Sequence, residues 1–188
     1  YNWEDQSEII TTPITFVSSN HAILQESLTP VFAEVDEFLT LDPQSVIELI
    51  NERTKAIMFV GLGGRIGSYF EILEICQKFG LVLILDAAHM AGTKYHGVHI
   101  GEDADLVVFS FQAVKNLPTA DSGLINCKCD ELFDNIKKMS WMGIDKDTYA
   151  RSSSAGTYKW EYDVPLFGYK YNGNSIMASM ALVGLKYL

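Results

Sequence analysis

Two short apolar runs in this chain end in residues that could do chemistry. Leu81–Leu85 leads straight into Asp86-Ala87-Ala88-His89, and Leu106–Phe109 leads into Ser110-Phe111-Gln112-Ala113-Val114-Lys115-Asn116. Taken singly, each polar residue has an ordinary reading. An aspartate after a strand caps a turn or a helix, and a loop lysine is solvated. Taken together, an acid, a hydroxyl and an amine just past consecutive strands match one kind of chemistry. A lysine amine can condense with an aldehyde. A carboxylate can keep a pyridine nitrogen protonated, so that the ring accepts electrons. A hydroxyl with backbone donors can hold a phosphate. Lys115, Asp86 and Ser110 supply these three groups for pyridoxal 5′-phosphate, PLP.

The surrounding pattern predicts elements suited to positioning them. Strands are expected over Glu8–Ile10, Pro30–Val35, Ala56–Val60, Leu81–Leu85, Leu106–Phe109 and Leu124–Cys127. Helices are expected over Val17–Glu26, Pro43–Asn51, Ser68–Phe79, Asp130–Trp141 and Asn174–Leu188. Asp42 reads as the N-cap of the second helix, with Val46, Ile47 and Ile50 on one face. Tyr69, Leu73, Cys76 and Phe79 give the third its helical spacing, and Gly80 ends it. Strands that are continuous apolar runs, alternating with helices, imply an α/β fold with a mainly parallel sheet sandwiched by helices. Such sheets bind ligands beyond the carboxyl ends of their strands, where Asp86, Ser110 and Lys115 fall.

These residues also carry a resemblance. Ser110-Phe111-Gln112-Ala113-Val114-Lys115-Asn116-Leu117 resembles the lysine motif of the DegT/DnrJ/EryC1/StrS family of PLP-dependent sugar aminotransferases, and Asp86-Ala87-Ala88-His89 resembles its aspartate motif. Thr12-Pro13-Ile14-Thr15-Phe16-Val17-Ser18 is similar to its upstream loop, and Gly168-Tyr169-Lys170-Tyr171-Asn172 to its downstream Gly-Tyr-x-Tyr motif. The order and approximate spacing of all four agree from Glu8 to Leu188. The resemblance implies an aspartate aminotransferase-like (fold type I) large domain over residues 1–188, incomplete at both ends and without the small C-terminal domain.

For the site, the resemblance implies that Lys115 forms the Schiff base and then shuttles a proton, while Asp86 pairs with the pyridinium nitrogen. His89, where the family usually has Gln, comes near the phenolic oxygen. Ser110 binds the phosphate and Phe16 stacks on the ring. Asn172, or alternatively Lys170, reaches the phosphate of a neighbouring subunit's cofactor, so a homodimer with shared sites is implied. The implied substrates are a nucleotide-linked keto-sugar and glutamate, with pyridoxamine phosphate as the half-reaction form. The sequence departs from the family in several places. The Gly-Thr/Ser phosphate segment upstream is absent, Gly61 and Gly63 stand where His and Tyr are more usual, and Gly173-Asn174 stands where Met and Ser/Thr are more usual.

Composition narrows the remaining classes. A net charge of −10 on 188 residues weighs against nucleic acid or an anionic membrane surface as partner. The cysteines, Cys76, Cys127 and Cys129, form no disulfide framework, which fits a reducing, cytoplasmic compartment. Cys127-x-Cys129 lacks a second pair and His96-x-x-His99 lacks a third ligand, so no metal site is expected. Gly61-Leu62-Gly63-Gly64-Arg65-Ile66-Gly67 has the context of a nicotinamide-dinucleotide loop but not its spacing, because Ile66 occupies the third glycine position. A non-catalytic regulator built on the same fold is the other rival, and the Lys115–Asp86 pair weighs against it. Trp141, Trp160 and nearby tyrosines are candidates for a sugar pocket, and Arg65, Arg151 and Lys159 for an anion clamp.

Overall fold

Among the described residues the chain forms eight strands: β1 (Glu8–Thr11), β2 (Thr29–Phe32), β3 (Thr54–Val60), β4 (Val82–Asp86), β5 (Lys94–Tyr95), β6 (Val98–His99), β7 (Leu106–Ser110) and β8 (Gly123–Cys127). The helices are α1 (Val17–Gln25), α2 (Pro43–Leu49), α3 (Tyr69–Phe79), α4 (Asp130–Ser140) and α5 (Ser175–Gly184). This computed structural model describes residues 1–145 and 162–188. The chain packs as two compact units. One comprises Tyr1–Lys128 with Ser175–Leu188, and the other comprises Cys129–Asn174.

The first unit is an α/β structure with a mostly parallel sheet, as the apolar runs imply. Its six strands lie in the order β2-β1-β3-β4-β7-β8. All neighbours pair in parallel except β7 and β8, which are antiparallel. The chain places β2 on one side of β1 and then crosses to place β3 on the other. The loops after β1 and β3 therefore diverge at a topological switch point, where open α/β sheets leave a crevice.

One face of the sheet packs on the helices to make the core. Ile10, Ile57, Phe59, Leu83, Leu85 and Val107 are buried there with Val46 of α2 and Tyr69, Ile72 and Cys76 of α3. The face of α3 is thus centred differently from its predicted spacing, since Phe79 is 42% exposed. The second helix ends two residues early at Leu49, and Ile47 faces outward. Side chains alternate across a strand, so Met58, Val60, Ile84, Asp86, Val108 and Ser110 share the opposite face. Burial on both faces is nearly complete in β3 but relaxes through β4 and β7, whose second face floors an open cleft.

A loop between β2 and α2 braces this architecture. Val35 and Leu41 close it by an antiparallel bridge. Inside, the Asp36 carboxylate accepts from the Phe38 and Thr40 amides and the Thr40 hydroxyl at 2.7–2.9 Å, and from the Ser68 hydroxyl at 2.9 Å. Ser68 directly precedes α3, so Asp36 ties that loop to the helix start. Burial alone raises the pKa of Asp36, but hydrogen bonds from Thr40, Ser68 and Phe38 outweigh it and hold the acid below its ordinary 3.8.

The β5–β6 hairpin was not foreseen. It is two residues per strand, with His96 in its turn at φ 48° and His99 on β6. Among the described residues no group of three His, Cys, Asp or Glu side chains is placed to hold a metal, and no helix is long and apolar enough to cross a membrane. In the second unit, Trp141 bridges to Lys170, whose ammonium lies 3.6 Å from the centre of the Trp141 ring.

Asp36→Ala is expected to lower unfolding free energy by about 1.5–3 kcal/mol, the range for hydrogen bonds to a charged group. Because the acid is held below its ordinary value, its contribution is present above that value and is lost as pH falls through the lowered one. The gap between urea titrations of wild type and variant should therefore begin to narrow as pH falls below about 4.

Candidate active site

The cleft on the open face of the sheet has a volume of ≈ 1200 Å³. Four loops wall it: Pro13–Phe16 after β1, Gly61 and Leu62 after β3, Ala88 and His89 after β4, and the β7–β8 loop with Gln112, Val114 and Lys115. Five of the six residues singled out from the sequence, Phe16, Asp86, His89, Ser110 and Lys115, line this one cavity.

Sheet register explains why they meet. Val60 pairs with Asp86, and Asp86 pairs with Val108, so Asp86 sits mid-row at the end of the sheet. Ser110 lies two residues beyond Val108 and therefore on the same face. The chain then leaves β7 in a loop closed by Phe111 N–H on the Ser122 carbonyl, at 2.7 Å, and Thr119 N–H on the Phe111 carbonyl, at 2.8 Å. Inside that loop Lys115 N–H donates to the Gln112 carbonyl at 2.9 Å, a turn that sets the half-buried lysine over the strand ends.

Asp86 is held on both oxygens. Oδ1 accepts from Ala88 N–H at 3.1 Å, and Oδ2 accepts from the Ser19 hydroxyl at 2.7 Å. Ser19 belongs to α1, is 6% exposed, and is in turn 2.8 Å from the Thr15 hydroxyl. Each carboxylate oxygen keeps a lone pair for a further donor. Ser110 Oγ accepts from Gln112 N–H at 3.4 Å, which leaves its own proton to donate. Phe16, the residue before α1, exposes 72% of its surface on the cleft wall. His89 accepts from Gly63 N–H through Nδ1 at 3.1 Å. Burial first, and the charge of Lys115 second, lower the pKa of this imidazole, against an opposing pull from Asp86.

An aromatic wall, a doubly held carboxylate, a hydroxyl donor and a lysine around one cleft fit a flat, anionic heterocycle bearing an aldehyde. The DegT/DnrJ/EryC1/StrS aminotransferase family model matches residues 2–188. The chain belongs to that family. The four sequence motifs indicated the same membership.

Two curated relatives and one solved structure show the extent of the likeness. The spore coat polysaccharide biosynthesis protein SpsC of Bacillus subtilis is 39% identical over 96% of this chain and 46% of its own length. The UDP-4-amino-4,6-dideoxy-N-acetyl-beta-L-altrosamine transaminase of Helicobacter pylori is 32% identical over 97% of this chain and 46% of its own. The putative sugar aminotransferase Spr1654 of Streptococcus pneumoniae, in its PMP form, superposes with a TM-score of 0.87 at 29% identity, over 98% of this chain and 51% of that one. The same protein in its PLP form gives 0.84. The chain thus spans about half the length of the relatives it matches.

For this member of the DegT family, the remaining sequence candidates divide by unit. Asn172 lies in the unit Cys129–Asn174 and is exposed, with its side-chain oxygen accepting from Lys170 Nζ at 2.6 Å. Trp141, in that unit, has its ring covered by Lys170. Arg151, Lys159 and Trp160 lie outside the described residues. Arg65 is exposed and donates to the Phe38 carbonyl at 3.4 Å.

The sequence reading missed Ser19 and Gly63. Ser19 carries no signal of its own in a run of serines, Ser18-Ser19-Asn20. Only the period of α1, which turns position 19 inward beside buried Ile23, could have singled it out. Ser19→Ala removes a buried donor from a carboxylate. It is expected to destabilise the protein by about 1.5–3 kcal/mol in denaturant titration, whereas a surface control such as Ser18→Ala should fall within about 0.5 kcal/mol.

Proposed function

We propose that the chain is the cofactor-binding core of a PLP-dependent aminotransferase that places an amine on a nucleotide-linked keto-sugar, with glutamate as the amino donor. The observation that carries this reading is the convergence of Asp86, at the end of β4, and Lys115, on the loop after the adjacent β7, on one cleft that Phe16, His89 and Ser110 also line. When bound, PLP supplies an electron sink for the negative charge that forms as the substrate carbon loses its proton.

The chain's own residues then take distinct parts. Lys115 Nζ would hold the cofactor through its aldehyde and, when its amine is free, would take up and return the proton of the substrate carbon. Asp86, fixed by Ser19 and Ala88, offers a remaining lone pair to the ring N–H and keeps it protonated. Ser110 donates its hydroxyl to the phosphate. Phe16 stacks against one face of the ring and restricts its tilt. His89 meets the phenolic oxygen. Asn172 reaches the phosphate held by a second copy of the chain, so the working unit is a homodimer with shared sites. In this order of events glutamate leaves as 2-oxoglutarate before the keto-sugar enters. The sugar transaminase and polysaccharide biosynthesis relatives support the substrate class, and the PLP and PMP forms of the pneumococcal protein support the cofactor.

The complete protein should bind PLP with a visible absorption band that borohydride reduction removes, and Lys115→Ala should never form it. Asp86→Ala should lower transamination by about a hundredfold or more while the protein still folds. Near-normal turnover in that variant defeats the role given to Asp86. Pyridoxamine-loaded protein mixed with a panel of nucleotide keto-sugars reads the substrate directly. A protein that binds PLP but never passes to pyridoxamine phosphate with any amino donor is a regulator instead.

A further inference from the structure

His89 meets two neighbours that constrain its proton. Gly63, at φ 63°, turns its N–H onto His89 Nδ1 at 3.1 Å. A ring nitrogen that accepts a hydrogen bond carries no proton, and an imidazolium has no acceptor at all. The Gly63 amide is therefore incompatible with both the Nδ1–H tautomer and the charged ring. The one state that satisfies it has the proton on Nε2, the ring nitrogen that Gly63 does not occupy.

We propose that the Gly63 amide holds His89 as a neutral Nε2–H donor at physiological pH, one that would serve the phenolic oxygen of the bound cofactor and so tune the proton affinity of the nitrogen joining Lys115 to that cofactor. This rests on the PLP reading given above.

The loop is built to aim that amide. Gly61 N–H donates to the Asp86 carbonyl at 3.1 Å, and Gly64 N–H to the Gly61 carbonyl at 3.1 Å. A side chain at Gly61 would put its Cβ 2.0 Å from Met90 Sδ, so only glycine lets the loop approach this closely. At Gly63 there is open space for a Cβ, but the left-handed backbone that points the N–H inward disfavours one. The ionisable groups that act on His89 are Lys115, which opposes an imidazolium, and Asp86, which favours one. Burial sides with Lys115 and is the larger effect, so the ring is held neutral by its surroundings as well as by Gly63.

The chemical consequence follows from charge. With the cofactor bound, the nitrogen joining it to Lys115 would share its proton with the phenolic oxygen. A second donor on that oxygen stabilises its negative charge and weakens its hold on the shared proton. A neutral donor does so at constant strength across physiological pH, which a titrating histidine could not.

Two arms on the complete protein test this. In the first, cofactor-free protein labelled with 15N-histidine is read by long-range proton–nitrogen NMR, with His89→Gln assigning the signals. The expected result is an Nε2–H ring at position 89 from about pH 6 to about pH 8, the span in which an ordinary histidine changes charge. An Nδ1–H tautomer, or an imidazolium within that span, overturns the proposal. In the second arm the visible band of PLP-loaded protein is titrated with pH. His89→Phe is expected to raise its midpoint by about one unit. His89→Gln, which restores a neutral donor, should stay within about 0.3 unit of wild type. An unchanged midpoint in His89→Phe, or equal shifts in both variants, overturns the assignment of the phenolic oxygen as acceptor. Wild-type protein that forms no PLP band defeats the cofactor reading instead, and the first arm still decides the Gly63–His89 lock.

Discussion

A carboxylate at the open end of a sheet keeps one orientation only if donors fix both of its oxygens; otherwise water takes those places and the group swings. Asp86 meets that condition with two donors from different parts of the chain. Ala88 N–H comes from the turn after its own strand, and the Ser19 hydroxyl comes from α1. The second bond does more than orient the acid. Ser19 N–H donates to the Phe16 carbonyl at 3.2 Å, and its hydroxyl, whose one proton goes to Asp86, accepts from the Thr15 hydroxyl in the same turn. The aromatic wall of the cleft and its acidic floor are therefore one hydrogen-bonded piece, and a shift of α1 would move both.

That coupling depends on topology. Because β1 lies between β2 and β3 in the sheet, the loop after β1 is free to turn across the face of the strands rather than follow its neighbour. α1 begins in that crevice, close enough for Ser19 to reach the end of β4. On the other flank, the antiparallel entry of β8 makes the β7–β8 connection a doubling-back loop, in place of the helical crossover a parallel strand would need. Lys115 rides on that loop. A sheet that was parallel throughout would lead the chain from β7 into a crossover, not into the loop that brings Lys115 to the cleft.

Much of this was legible in the sequence because it was local. The strands at Leu106 and Val82, the acid, the serine and the lysine follow from apolar runs and what ends them, and their ends fall within a few residues of the structure. What failed was long-range or conformational. Ser19 is separated from Asp86 by 67 positions, and nothing in a serine's neighbourhood announces so distant a partner. Gly63 belonged to a loop weighed as a dinucleotide fingerprint and set aside for its spacing; its actual part depends on φ and on an imidazole 26 residues later. The β5–β6 hairpin escaped notice because two-residue strands carry no period. Phe79 fits the helical spacing of Tyr69, Leu73 and Cys76, yet it is the last residue of α3 and lies 42% exposed, because the buried face is centred on Tyr69, Ile72 and Cys76 instead.

The charge of the chain sets a final constraint on how the cleft works. A net charge of −10 repels the anionic cofactor and sugar nucleotide proposed for it, and this repulsion is screened beyond a Debye length of about 8 Å at physiological salt. Long-range steering therefore cannot draw such ligands in, and recognition has to be short-ranged. The described cleft supplies short-range groups of that kind: the Ser110 hydroxyl, the Lys115 amine and the His89 ring, which burial and Lys115 bias towards its uncharged form. The neutrality of His89 matters here in a second way. A charged imidazolium next to Lys115 would place two cations around one carboxylate, and each would compete with the ring N–H for Asp86. Holding the histidine neutral leaves the lone pairs of Asp86 to the group it faces.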